Sequence, residues 1–350
     1  MSQSPQDASD SPDSPDSSGS SGSSDSSDSS VTEDGMTAAQ AVDRIEAAAH
    51  PRPHDRRLHA RGAVYDARFV PTGQIAEWTT AACLTAESAA VIRFSNGSGN
   101  FAADDRARGV RGMAVKFLDG DGGGAKAVMD LVAANFRVFP SHNPEGFIDL
   151  VEALGMAGTE GGFADRAKGK LAAAGKFATV LAQHPESRGA LKSFAGQQAP
   201  ASFATTRYDG LHAFVLVDES GVRRPFRYRL VPQLGEVEID PGYAGTLAPD
   251  FLIGDLDSRL TTGPVTFTVV YQLAEPNDPT HDPSQAWPEH RPLIPAGHLH
   301  VTARSPREDH WQRQVFDPTR LAPGVEASDD RMLAFRRHAY SVSAERRLAP

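Results

Sequence analysis

Thiol chemistry is almost absent from this chain: Cys83 is the single cysteine in 350 residues. It excludes an internal disulfide and suits a reducing compartment, so the cytoplasm is the expected address. No apolar run approaches the ~20 residues needed to cross a bilayer, and the N-terminus has neither the basic nor the apolar stretch of a secretory leader. The sequence therefore predicts no membrane partner. Positive charge is also in short supply, with 35 Lys and Arg against 45 Asp and Glu and a formal charge of −10. Residues 1 to 34 contain eight acidic side chains and no Lys or Arg, so this segment carries −8 and the remainder is near neutral. A concentrated basic face is missing, which argues against nucleic acid as the main partner. What remains, 39% hydrophobic and 23% charged, is the composition of an ordinary globular protein.

The opening MSQSPQDASDSPDSPDSSGSSGSSDSSDSSVTEDG is almost wholly Ser, Asp, Pro and Gly. Nothing in it can be buried to offset ordering entropy, so residues 1 to 34 are expected to be a disordered tail and 35 to 350 a single folded unit. The segment TAAQAVDRIEAAAH repeats its apolar positions near the helical period. Short apolar or alternating runs then dominate: GAVYDARFV, AVIRFSN, GMAVKFLD, DLVAANFRVF, TGPVTFTVVYQLA and AGHLHVTAR. A further pair of runs, LHAFVLV and RRPFRYRLV, flanks Ser220 and Gly221 and reads as a hairpin. Helices interrupt the strands: Asn143 caps a start with Pro144 at its first position, and FADRAKGKLAAAGKFATVLAQH reads as a second helical stretch. The expected class is α+β, an antiparallel barrel with inserted and appended helices.

Four segments concentrate one kind of chemistry: RRLHARG at 56 to 62, VIRFSNGSG at 91 to 99, MDLVAANFRVF at 129 to 139 and RMLAFRRHAY at 331 to 340. They offer an imidazole (His59), a hydroxyl (Ser95), a carboxamide (Asn135) and a tyrosine four residues after an arginine (Arg336, Tyr340). A neutral imidazole can carry a proton between the two oxygens of a peroxide, which heterolysis of the O–O bond requires. A phenol with an ordinary pKa of about 10 ligates iron poorly at neutral pH unless its anion is stabilised. An arginine four residues earlier on a helix shares its face and can do so. Taken singly, each residue also has a bland reading as a turn residue, a satisfied histidine or a solvated helix face.

In order and surroundings these segments resemble the haem catalases, and their companions YDGLHAFVLVDESGVRRPFRYRLV, DPSQAWPEHRPLIPAGHLHV and VFDPTRLAPGVEASDDRML extend the resemblance from about residue 45 to 347. RRLHARG is similar to the family's RVVHAKG, which implies the distal histidine at His59 and a haem-propionate arginine at Arg56. RFSNGSG is similar to RFSTVAG, implying a second propionate arginine at Arg93 and a histidine-supporting hydroxyl at Ser95. DLVAANF resembles DLVGNNT and implies the distal carboxamide at Asn135, with Ala134 in place of its neighbour. RMLAFRRHAYSVSAERRL resembles the proximal helix, implying Tyr340 as iron ligand, Arg336 as its partner and Arg347 as the third propionate arginine.

Departures from the family are equally specific. RGVRGMAVKF aligns Gly109 with the acidic residue of the catalase channel, Ser341 follows the tyrosine where proline is usual, and Ala344 replaces a histidine. The chain stops ten residues after Tyr340, without the wrapping segment and C-terminal helical domain of full catalases. This form resembles the small catalase-related peroxidases. The implied activity is a haem b peroxidase that reduces hydrogen peroxide or organic hydroperoxides with a small organic electron donor, and a homodimer or a monomer is the expected assembly. Catalase turnover is the alternative enzyme, and a haem carrier or sensor the alternative of another class. Other signals are weaker: DGDGGGAK at 119 to 126 lacks phosphate-loop spacing, His298 and His300 lack further ligands nearby, and no G-x-S-x-G elbow occurs.

Overall fold

In the computed structural model, residues 30–120, 125–155 and 174–349 are described. Strands β1 (Gly62–Pro71), β2 (Ser88–Asn96), β3 (Arg111–Asp119), β4 (Lys126–Ala134), β5 (Tyr208–Asp209), β6 (Phe214–Val217), β7 (Arg223–Pro232), β8 (Val265–Leu273), β9 (Leu293–Arg304) and β10 (Val325–Ala327) form one sheet. Its order is β10-β6-β7-β5-β4-β3-β2-β1-β9-β8, and β8 pairs back onto β7, so β7 through β8 close an antiparallel barrel while β6 and β10 extend beyond it. The expected barrel with interspersed helices is what the chain forms. The hairpin at Ser220 and Gly221 joins β6 to β7, with Gly221 at a left-handed φ of +83° and Asp218 accepting from the Ser220 and Val222 amides.

Alternation along the strands sorts side chains into barrel core and outer wall. Phe94 points inward, where it packs on Tyr65 at 5.8 Å and Phe203 at 5.4 Å between ring centroids, and Phe117 meets Phe69 at 5.3 Å. Its neighbours Arg93 and Ser95 face the opposite side. There the wall of β1 to β4 is covered by three helices: the first (Ala38–Ala49), a second (Pro144–Gly155) and the C-terminal one (Arg331–Leu348).

Local sequence explains each helix boundary. Thr37 and Gln40 form a reciprocal capping box on the first helix, which ends at His50 with φ +46°. Asn143 Oδ1 accepts from Gly146 N at 2.9 Å to start the second. Asp330 Oδ1 accepts from Leu333 N at 3.1 Å to start the third. Residues 30 to 34, expected in the tail, instead dock on the fold: Thr32 is buried, Val31 bridges Thr37 and Glu33 pairs with Arg331. The rest of the expected tail, the glycine-rich turn around 121–124 and the start of the FADRAKGK helix lie outside the described residues. Among the described residues no helix is long and apolar enough to cross a membrane. Cys83 is buried, and burial pushes its thiol up to about 11.

Candidate active site

Between the outer wall of the barrel and the three helices lies a cavity of about 1380 Å³. His59, Arg93 and Ser95 line it from the barrel side, and Arg336, Tyr340 and Arg347 from the C-terminal helix. The helix can present all three because positions 336, 340 and 347 fall on one stripe.

His59 stands just before β1, anchored by its own N–H to Gly97 O at 3.1 Å, in the left-handed region at φ +57°. That conformation is uncommon for a residue with a Cβ and persists where surrounding structure enforces it. His59 Nδ1 lies 2.9 Å from Ser95 Oγ. An imidazole that donates from Nδ1 to the hydroxyl keeps Nε2 as a free acceptor. Gly112, paired in register with Ser95, makes the arrangement possible, since a Cβ there would stand 2.8 Å from both His59 Nδ1 and Ser95 Oγ. Burial first, and then the nearby Arg93, Arg336, Arg56 and Arg111 cations, push the His59 pKa down to about 3. At neutral pH the ring is an uncharged base.

On the C-terminal helix Arg336 Nη2 donates to the Tyr340 hydroxyl oxygen. The guanidinium is itself held: Nη1 donates to His212 Nε2 at 2.7 Å, and His212 Nδ1 donates to Asp330 Oδ2 at 2.6 Å. His212 and Asp330 are buried, and burial depresses the His212 pKa in spite of Asp330 beside it. Asp330 thus caps the helix with one oxygen and orients the chain of contacts to Tyr340 with the other. Sequence reasoning missed both residues, although His212 lies within the quoted LHAF run and Asp330 occupies a recognisable cap position.

Arg56, Arg93 and Arg347 converge on the segment 312–314. Arg56 donates to Gln312 O and Gln314 O, Arg347 to Gln312 O, and Arg93 Nε to Gln312 Oε1 at 2.9 Å. None of the three makes an ion pair among the described residues. Burial and mutual repulsion push Arg56 well below the usual arginine range and Arg93 to about 10. Three clustered guanidiniums that no carboxylate pairs with among the described residues have the chemistry to receive the acid groups of a ligand, with Glu308 nearby, accepting from Gln312 Nε2 at 3.3 Å. Gln312, also missed from sequence, sits at the centre and donates to Gly62 O at 2.8 Å.

Asn135 requires a correction. β4 ends at Ala134, whose partner is Gly112, and it is Ala134 that lines the cavity. One residue further, strand alternation turns the side chain away. The Asn135 carboxamide accepts from Arg111 N at 2.7 Å and donates to Gly109 O at 3.3 Å, and so fixes the entry into β3. His298 and His300 lie on β9 against Thr268 and Thr266, and no metal-holding group of three ligands exists among the described residues.

Residues 16–350 match the family model described as catalase. A catalase-related peroxidase of Mycolicibacterium paratuberculosis is 39% identical over 316 residues, covering 89% of this chain and 95% of that protein. One from Synechococcus elongatus is 29% identical over 315 residues and covers 89% of each. Among solved structures, a fungal catalase superposes with a TM-score of 0.71 at 21% identity, over 88% of this chain and 62% of that one. A bacterial catalase gives 0.71 at 22%, over 90% and 62%. At such identities the likeness is one of fold, and the chain spans less than two thirds of the length of these catalases.

Proposed function

The chain belongs to the catalase family, and on that premise we propose that it is a haem-dependent peroxidase that reduces hydrogen peroxide or an organic hydroperoxide with an organic donor. The family implies haem, and the residues present fit it. Arg56, Arg93 and Arg347 form a cationic cluster with no ion pair among the described residues, which suits the two propionates of haem b, and the Arg336–Tyr340 pair suits an iron ligand. When bound, haem supplies the redox chemistry of peroxide reduction.

The protein's own residues supply proton handling and placement. His59 Nε2 is the acceptor for the proton on one peroxide oxygen and returns it to the other, so that water or an alcohol leaves. Ser95, 2.9 Å from Nδ1, holds the ring in the tautomer that this transfer needs. Arg336 donates to the Tyr340 oxygen and orients it, while His212 and Asp330 hold that guanidinium in place. The turnover balances as one hydrogen peroxide and two donors AH giving two waters and two donor radicals. Asn135 has no part in it, because its carboxamide is engaged with backbone. Cys83 accords with a reducing cytoplasmic setting.

The observation that carries this reading is the meeting in one cavity of a neutral His59–Ser95 pair and an Arg336–Tyr340 pair. The test is to load the full chain with haem and compare initial rates of dye oxidation and oxygen release on hydrogen peroxide. Dye oxidation is expected to dominate. Rapid oxygen release with poor dye oxidation would make the protein a catalase, and a fully loaded protein silent in both would be a haem carrier or sensor.

A further inference from the structure

A different part of the cavity is built from the end of the Ser187–Gly196 helix. Phe194 stacks on Phe136 with ring centroids 5.0 Å apart and planes at 25°, and both rings line the cavity beside Leu191. Arg108 and Gly109 form the adjoining edge. Arg108 is exposed, and its Nε donates to Gln197 O, the residue that follows this helix. The remaining guanidinium nitrogens make no ion pair or hydrogen bond among the described residues. Among the described residues no carboxylate pairs with it: Asp104 is taken by Arg106 through both carboxylate oxygens, Glu238 accepts from Gln198 N, and Gly109 has no side chain. A side chain at 109 would in any case meet Arg111 Nη1, 2.8 Å from the position of its Cβ.

Size argues that this end stays available. A cavity of about 1380 Å³ exceeds the ~300–1,000 Å³ of a single-ligand pocket. The guanidiniums that would take the haem carboxylates are bonded to segment 312–314, whereas Arg108 is bonded to the end of another helix.

We infer that Arg108, with the Phe136–Phe194 face, is a binding site for an anionic aromatic molecule, and that the reducing substrate belongs to this class. The second half of the inference rests on the peroxidase reading; the first does not. A flat apolar ring lies against the stacked phenylalanines, which favour offset or edge contacts with a further ring. Its carboxylate or sulfonate pairs with the Arg108 guanidinium in a two-point contact. With no carboxylate at 109 and Asp104 paired with Arg106, an anion meets no unpaired carboxylate among the described lining residues, and oppositely charged entrances raise the local substrate concentration.

The experiment titrates the haem-loaded full chain with 2-naphthoate and, separately, with neutral 2-naphthamide, by calorimetry. Haem loading matters because it occupies the other arginines. Naphthoate is expected to bind about fivefold tighter, the range of a single exposed ion pair. Arg108→Gln should abolish the preference and Arg108→Lys should keep part of it, with unchanged circular dichroism showing that each variant folds. Equal affinities for the two ligands, or a preference that survives in Arg108→Gln, overturn the inference. In parallel, the ratio of kcat/KM for an anionic dye to that for a neutral phenol should fall in Arg108→Gln. Selective naphthoate binding by a protein that oxidises neither dye would leave the anion site standing and remove the peroxidase reading.

Discussion

Replacing Asp330 by Asn changes one atom, yet it should disturb the site through a tautomer. In the wild type, Oδ1 of Asp330 accepts from Leu333 N and Oδ2 accepts from His212 Nδ1, which leaves His212 Nε2 to accept from Arg336. An amide cannot reproduce both acceptors. If its oxygen keeps the cap, where Asn serves as well as Asp, its NH2 faces His212 and forces the proton to Nε2. Two donors would then meet across the 2.7 Å between His212 and Arg336, and the guanidinium must withdraw from Tyr340. If the amide flips, the histidine is satisfied and the cap is lost, at about 1 kcal/mol. The first outcome removes a buried charge-assisted bond, for which about 1.5–3 kcal/mol is typical. Denaturant unfolding of the cofactor-free protein should report a loss in that span. The ferric spectrum and haem affinity of the loaded protein should separate the two outcomes, because only the first releases Arg336. A variant that unfolds like the wild type and keeps the same spectrum and affinity would refute the chain of contacts from Asp330 to Tyr340.

Three further outcomes follow from the site. Gly112→Ala forces His59 and Ser95 apart, since its Cβ would lie 2.8 Å from each, and peroxide turnover should fall by at least tenfold with haem content preserved, as read by stopped-flow and absorbance. Gln312→Leu deprives Arg93 Nε and Gly62 O of their partner, so haem affinity should drop while the spectrum of the residual complex stays unchanged. His59, with its pKa lowered to about 3, refuses a proton that the unfolded chain binds below about 6.5. The unfolded state therefore holds more protons between those values, and stability rises with pH across that window and is flat from this group above it. Between pH 5 and 7.5 it accounts for up to roughly 2 kcal/mol. His59→Gln should flatten the pH dependence of the cofactor-free urea midpoint by that amount; an unchanged slope would show that the ring is not held neutral.

The strands that carry the site were readable because alternation is a local signal: β1, β2, β3, β8 and β9 fall on the apolar runs seen in the sequence. The two-residue β5 and three-residue β10 were not, since such short pairings are set by neighbours and leave no periodicity. Asn135 marks the limit of motif reading. MDLVAANF shows that a carboxamide lies near the end of a strand, but a shift of one residue moves a side chain to the other face. Only the pairing of Ala134 with Gly112 settles which face it takes.

What supports the site was hidden for a different reason. Arg56 and Arg347 end on the main-chain oxygens of residues 312 to 314, and Arg93 also donates to His59 O. A carbonyl acceptor has no residue identity, so no composition or spacing can announce it. The same holds for His212, whose value lies in being 2.7 Å from Arg336 across a separation of 124 residues. Chemistry borne by a side chain against its own helix, as with Arg336 and Tyr340, can be proposed from spacing alone. The partners that fix its geometry come from elsewhere in the fold, and mutations at them should change spectrum and haem affinity with His59, Ser95, Arg336 and Tyr340 all in place.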